Sequence, residues 1–429
     1  MIPMTGSRQC RQRPLRKPSS MNDTASPRQQ PIVFLGKRQQ GGGYGKQPGR
    51  SDDFLTLVEP GTPCGELMRR YWHPVGISAK VTSDPAKVRI LGEDLILFRD
   101  GKGRAGLLHE HCAHRGSSLY YGKVEAEGIR CCYHGWLFAV DGACVEQPCE
   151  PGGGQHRDKC RQPWYPVEER YGLVFAYLGP LDAMPPLPHY DVLEELGPDE
   201  ELQQEDKSFY IGGGTTAENP VAPYSWLQNF ENVMDPFHVV ILHSRFSGVQ
   251  FRQQMAVMPN VEWELCDHGV MYRSVRKTES GVLTRITQTL LPNVRIVPSI
   301  ELTPGKGREV AWLVPVDSHH HRSFGVARVP KNEEPLYSRR SRMATHEGKT
   351  WWEMSEQEHK QFPDDYEAQS SQGSIPAHSD EHLATSDKGV VMLRRLLTRQ
   401  IRAIQEGAVP EGTGPESQRV IVRAGNYFE

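Results

Sequence analysis

No run in this 429-residue chain approaches the roughly 18 apolar residues that a membrane-spanning helix needs, so no membrane partner is expected. Charge of one sign is lacking too. The 50 Lys and Arg against 53 Asp and Glu give a formal net charge of −3, which offers no basic excess for nucleic acid. A disulfide framework is also missing: nine cysteines is an odd number and their spacing is irregular. Cys10, Cys64, Cys144, Cys149, Cys160 and Cys266 read as reduced thiols, which fits a cytoplasmic location. Nucleotide-binding loops fail as well. Gly101, Gly103 and Gly106 spell G-x-G-x-x-G but join two strands with no helix after them, and Gly41–Lys46 has no apolar strand before it.

What is present is organised in three parts. Residues 1–50 are rich in Arg, Gln, Gly, Ser and Pro with a single acid, Asp23, and are expected to be a disordered basic tail. Residues 51–185 read as a small all-β domain with an N-terminal extension. Lys87–Leu91 and Leu95–Arg99 flank a turn, Asp141-Gly142 marks another hairpin, and Leu173–Leu178 is a last strand. Met184-Pro-Pro-Leu-Pro188 reads as a linker. Residues 186–429 alternate strand-like and helical stretches, the clearest helices being Tyr224–His243 and Val390–Glu406, and are expected to form an α+β domain with an antiparallel sheet.

The all-β part contains Cys112-x-His114, then 16 residues, then Cys131-x-x-His134. Two thiolates and two imidazoles arriving as short pairs suit a centre that is sulfur-rich on one side and nitrogen-rich on the other. A Rieske [2Fe–2S] cluster has that asymmetry, and a structural Cys2His2 zinc site is the competing occupant. Gly116 and Gly135 favour the cluster, because glycine loop tips let backbone N–H groups approach sulfur. Cys132 adjoins a proposed ligand, and Cys132-x-His134 is also a plausible pair.

The helical stretch contains Asn232, Asp235, His238 and His243. The first three are spaced by three and share one face of a helix. His243 falls roughly 140° further round from His238, so both imidazoles reach one metal only if the helix ends or distorts between them. Pro236 fits such an irregularity.

Taken together, C-x-H-R-G, C-C-Y-H-G-W and N-x2-D-x2-H-x4-H resemble the oxygenase (alpha) component of Rieske non-haem iron ring-hydroxylating oxygenases, in the phthalate-dioxygenase-like group. The resemblance assigns the cluster to Cys112, His114, Cys131 and His134, with Cys131 rather than Cys132 in register. It implies a helix-grip type of catalytic domain in which His238, His243 and a carboxylate hold mononuclear Fe(II). Counting eight residues back from Gly373 in F-P-D-D-Y-E-A-Q-S-S-Q-G-S-I selects Asp365 over Asp364. Asp235 would orient His238 and bridge to a cluster histidine of the next subunit, His134 being its natural partner, while Asn232 would stand near the iron. Electrons would come from NAD(P)H through a separate reductase or ferredoxin, and a homotrimer or stacked hexamer would bring the two centres together.

The expected activity is hydroxylation of an aromatic substrate, with an aromatic carboxylate preferred. O-demethylation of a methoxylated aromatic acid is the alternative within the family, and a non-catalytic Rieske electron carrier is the alternative of another class. Arg245 and Arg252 could anchor a carboxylate or be surface residues. His319–His321 could bind metal but reads rather as a polar loop between strands, Trp226, Phe246 and Trp351-Trp352 could line a pocket or pack, and Arg115 and Tyr133 would support the cluster loops.

Overall fold

The computed structural model describes residues 43, 46–155, 157–206, 221–248, 250–334, 349 and 353–429. The basic tail expected over residues 1–50 lies outside the described residues apart from Gly43 and residues 46–50, as do Trp351 and Trp352. Gly49–Glu429 forms one compact unit.

Between Trp72 and Tyr177 the chain folds into three small antiparallel sheets. Ala86–Ile90 and Glu93–Arg99 pair through a two-residue turn in which Leu91 and Gly92 both have positive φ, the requirement of the hairpin turn whose twist matches its strands. Leucine is held in that conformation because the turn is a docking point. Leu91 N–H and Gly92 N–H donate to Pro315 O and Val316 O of a later strand, and Arg69 donates to Leu91 O. Gly101 and Gly103 lie in the turn before the strand Ala105–His109 and Gly106 lies within that strand, with no helix following.

From Glu200 onward the core is an antiparallel sheet. Its main path runs Glu200–Glu205, His320–Pro330, Glu309–Asp317, Val294–Ile296, Gly281–Leu290, Gly269–Thr278 and Asn260–Cys266. Glu309–Asp317 is buried along nearly its whole length, as a strand covered on both faces must be. On one side Trp312 meets Phe175 of the first region edge to face at 5.4 Å. The other side faces the helices.

Two helices matter for the site. Trp226–Val233 starts at a capping box formed by Ser225 and Gln228. Lys388–Gln405 buries Leu393, Leu396, Leu397 and Ile401 on one face. The two are joined by Arg394, which donates to both Glu231 and Glu381. Gly389 lets the long helix approach closely: a Cβ there would stand 2.4 Å from Trp263 Nε1 and 2.6 Å from Met234 O. None of the helices among the described residues is long and apolar enough to cross a membrane.

Candidate metal centres

The Cys-His quartet sits on two loops with the same backbone wiring. Cys112 N–H donates to Ser117 O (2.9 Å) and Gly116 N–H to Cys112 O (2.8 Å). Likewise Cys131 N–H donates to Trp136 O (2.8 Å) and Gly135 N–H to Cys131 O (3.1 Å). Gly116 and Gly135 share a φ of 73°, a left-handed value that glycine adopts without strain. Each knuckle turns its cysteine inward, 3 % exposed in both cases, and leaves its histidine half-buried at the rim.

The rings of His114 and His134 lie 4.6 Å apart, and His114 stacks on Trp136 at 4.5 Å and 5°. Burial pushes the Cys112 thiol up to about 11, with Cys131 beside it. Burial and the neighbouring His114 and Arg115 hold His134 below its usual value. An uncharged imidazole is what metal ligation requires. Among the described residues, the three ligand atoms that meet within 4.8 Å of one another belong to a different set, His238, His243 and Asp365. A single tetrahedral zinc would need its four donors within about 4 Å of one another, so the quartet suits a two-metal cluster with sulfur on one side and nitrogen on the other.

Cys132 is exposed, its sulfur 3.8 Å from Ser117 Oγ, and Arg115 lies over the Tyr133 ring at 5.7 Å. Sequence reasoning missed Gln162. Fully buried, it accepts from Ala113 N–H (2.7 Å) and donates to His109 O and His111 O, fixing the first loop from another loop about 50 residues downstream.

The second set depends on a broken helix. The expected continuous helix Tyr224–His243 ends at Val233 instead, so Asn232 is helical while Asp235 is outside the helix, and the shared face of Asn232, Asp235 and His238 does not form. Pro236 is the reason, because the residue before a proline is disfavoured in the α conformation. Asp235 takes over as a local cap, its Oδ1 accepting from Phe237 N–H at 2.8 Å. The helix resumes at His238 and passes into a π-helical turn, Ile241–Phe246, with Ser247 N–H donating five residues back to Leu242 O. The wider turn offsets the roughly 140° separation of the two histidines on an ideal α-helix. The distortion required between them is this one.

Asp365 Oδ1 lies 3.7 Å from His238 Nε2 and 3.5 Å from His243 Nε2. Asn232 Nδ2 donates to the same oxygen at 3.1 Å. His243 Nδ1 is 2.5 Å from Gln250 Oε1, so the ring donates there and turns Nε2 toward Asp365. Asp364 has a different task. It caps the helix Asp365–Ser370, accepting from Asp365 N–H at 2.7 Å, while Glu367 returns a bond to Asp364 N–H, and its Oδ1 stands 3.4 Å from His243 Nδ1.

Burial opposes charge on all three groups, yet the neighbours decide two of them. His243 rises to about 9 beside Asp365 and Asp364, and Asp365 falls to about 2 beside His243 and His238. Burial, with Asp365 adding its charge, lifts Asp364 to about 6. A divalent cation bound by these three inward donors would take the place of the proton that the aspartates hold on His243, leaving two neutral imidazoles and one carboxylate as its ligands.

The expected hydrogen bond from His238 to Asp235 is absent: the atoms are 3.7 Å apart, and the buried His238 Nδ1 has no partner. His319–His321 is also corrected. His320 and His321 begin a strand, and His321 is fully buried, bonded to Tyr224 O and Asn229 Nδ2. Arg245, Arg252 and Phe246 are exposed, and Trp226 packs in the core.

Residues 71–165 match the Rieske [2Fe-2S] domain family. Over 92 % of its length the chain is 50 % identical to the phenoxybenzoate dioxygenase subunit alpha of Ectopseudomonas oleovorans, covering 96 % of that protein. It is 30 % identical to the phthalate 4,5-dioxygenase oxygenase subunit of Pseudomonas putida, over 85 % of this chain and 88 % of the relative. Among solved structures, a Pseudomonas putida CBB5 NdmA mutant with caffeine superposes with a TM-score of 0.60 at 20 % identity, covering 85 % of this chain and 98 % of that one.

Proposed function

The chain belongs to the Rieske non-haem iron ring-hydroxylating oxygenases, phthalate-dioxygenase-like group, as a terminal oxygenase component, and on that premise we propose that it oxidises an aromatic carboxylic acid. It is an oxidoreductase that combines a Rieske cluster with non-haem iron and receives electrons from NAD(P)H through a separate reductase or ferredoxin. The chemistry of these bound groups is one-electron delivery from the cluster and activation of O2 at an open-sided iron.

In this reading Cys112 and Cys131 hold one cluster iron, His114 and His134 hold the other, and His238, His243 and Asp365 hold the mononuclear iron. The observation that carries it is the convergence of those last three ligand atoms within 4.8 Å. Gln250 fixes the tautomer of His243, and Asn232 holds the Asp365 carboxylate in place. Phe251, its ring 4.7 Å from that of His243, helps to keep water from that ligand.

We assign Asp235 to the electron path between copies of the chain in a homotrimer. It borders an open depression of about 510 Å³ that Asn232, Glu231 and Arg394 also line, and the unpartnered His238 Nδ1 lies behind it. A second copy would present His134 there, and the free thiols of the described cysteines suit a cytoplasmic setting.

The test is O2 uptake with a surrogate reductase and NADH, using phenoxybenzoate, phthalate and methoxybenzoate, with formaldehyde measured alongside. Uptake that rises with an aromatic acid and yields its hydroxylated product supports the proposal, and formaldehyde release would assign O-demethylation. No response to any acid while a neutral arene is oxidised would remove the carboxylate from the reading.

A further inference from the structure

Two cysteines outside the Cys-His quartet are placed opposite one another beside it. Ala143 and Arg161 form an antiparallel bridge, and Gln162 N–H donates to Gly142 O at 2.8 Å next to it. One step along the same register, Cys144 stands opposite Cys160. Side chains alternate along extended backbone, so the two thiols share the face away from Ala143 and Arg161. Residues paired this way have Cα atoms about 4.5–5.5 Å apart, within the span of a disulfide. Both sulfurs pack on the small core that also holds Phe98, Phe138, Cys112 and Cys131. Burial raises the Cys144 thiol to about 11 and the nearby Cys160 adds to the rise, while burial raises Cys160 as well.

The segment between the two cysteines supports the loop of Cys131 and His134. Pro148 sits so close to Gly135 that a Cβ there would stand 2.8 Å from its Cγ, and Cys149 Sγ donates to His134 O at 3.5 Å. Just beyond Cys160, Gln162 accepts from Ala113 N–H and so holds the loop of Cys112 and His114. One stretch of chain therefore buttresses both loops of the quartet, and it is pinched together at Cys144 and Cys160.

We propose that Cys144 and Cys160 are a dithiol that hydrogen peroxide, a two-electron reduction product of O2, converts to a disulfide, and that this bond clamps the cluster loops. Cys160 is the more exposed sulfur and reacts first. It attacks one peroxide oxygen, the O–O bond breaks, water leaves and a sulfenic acid remains. Cys144 then attacks that sulfur, forming the S–S bond and releasing a second water. The two thiols together give up two electrons and two protons, and one H2O2 becomes two H2O. Both thiols are mostly protonated at neutral pH, so the reaction is slow and responds to accumulated peroxide. A thiol reductant reverses it.

The test treats the holoenzyme with a small excess of hydrogen peroxide, removes the peroxide, alkylates free thiols and maps cross-linked peptides by mass spectrometry without reductant. The Cys144–Cys160 cross-link should form, disappear with dithiothreitol, and be absent from Cys160→Ser. The oxidised chain should then lose its visible cluster absorbance to a chelator about tenfold more slowly than the reduced chain, because the bond closes a loop of roughly 15 residues. Peroxide-treated Cys160→Ser should lose it at the rate of the reduced natural chain. No cross-link, a cross-link of either cysteine to a different thiol, or a Cys144–Cys160 bond that leaves the rate of cluster loss unchanged overturns the proposal. If Cys160→Ser does not fold, the natural chain decides: the slower loss must appear with the cross-link and vanish when dithiothreitol removes it, and a slow rate that survives reduction overturns the clamp.

Discussion

Asn232 Nδ2 donates to Asp365 Oδ1 at 3.1 Å, and that one oxygen is also the nearest acceptor to both metal-facing histidine nitrogens. The bond ties the last full turn of one helix to the first residue of another, across 133 positions of sequence. Asn232→Ala should therefore weaken iron retention about 10- to 100-fold with little change in fold. Chelator titration followed by iron analysis measures this, and wild-type retention would make Asn232 a bystander.

The two adjacent aspartates should part company. Asp365→Ala is expected to lose the mononuclear iron and O2-coupled turnover while keeping the cluster's absorbance. Asp364→Ala should keep the iron, and lose about 1 kcal/mol of stability with its helix cap. Urea unfolding and metal content together separate the two. The reverse pattern would hand the ligand role to Asp364.

A similar contrast applies to Cys131 and Cys132. Cys131 is buried in a hydrogen-bonded knuckle that mirrors that of Cys112, whereas Cys132 points outward. Cys131→Ser should abolish the cluster's visible absorption and its reduced-state EPR signal, and Cys132→Ser should leave both within experimental scatter.

Acid stability should be governed in part by two buried neutral histidines. His73 donates to Met68 O with Asn293 Nδ2 at its other nitrogen, and His321 is held the same way by Tyr224 O and Asn229. Burial lowers both from the usual 6.5 to about 4. Above pH 6.5 neither the folded nor the unfolded form binds the proton, so the stabilisation is fully present. Between 6.5 and 4 the unfolded chain takes up protons that the folded chain refuses, and stability falls. Each ring should contribute a loss of about 2 kcal/mol between pH 7 and pH 5. Urea midpoints at the two pH values measure it, and His321→Gln should flatten the slope.

The parts that proved legible are those in which chemistry is written in short spacings. Cys112-x-His114 and Cys131-x-x-His134 each lie within one loop, and the hairpin strands were expected as Lys87–Leu91 and Leu95–Arg99 about a turn at Gly92-Glu93-Asp94, whereas the turn is Leu91-Gly92 and the second strand starts at Glu93. The N-x2-D-x2-H-x4-H run located the second set, and Pro236 signalled an irregularity, but its form did not follow from periodicity. An α-helical count kept Asp235 on the face of His238, whereas the chain breaks before His238 and widens into a π turn after it. Gln162 and Gln250 were not legible at all. Each lies between regular elements and acts through its side-chain amide, Gln162 about 50 residues from its partners and Gln250 seven residues from His243, and a glutamine in a loop carries no local mark of such a role.

The central claim is that each chain holds two iron centres, one that collects electrons and one that uses them. Iron and acid-labile sulfide, measured on anaerobically purified protein, test it most directly. The account predicts about three iron atoms and two sulfides per chain, with the third iron lost in a His238→Ala, His243→Ala variant while both sulfides remain. An equal count of iron and sulfide in the fully loaded natural chain would leave a cluster with no second iron, and would contradict the account.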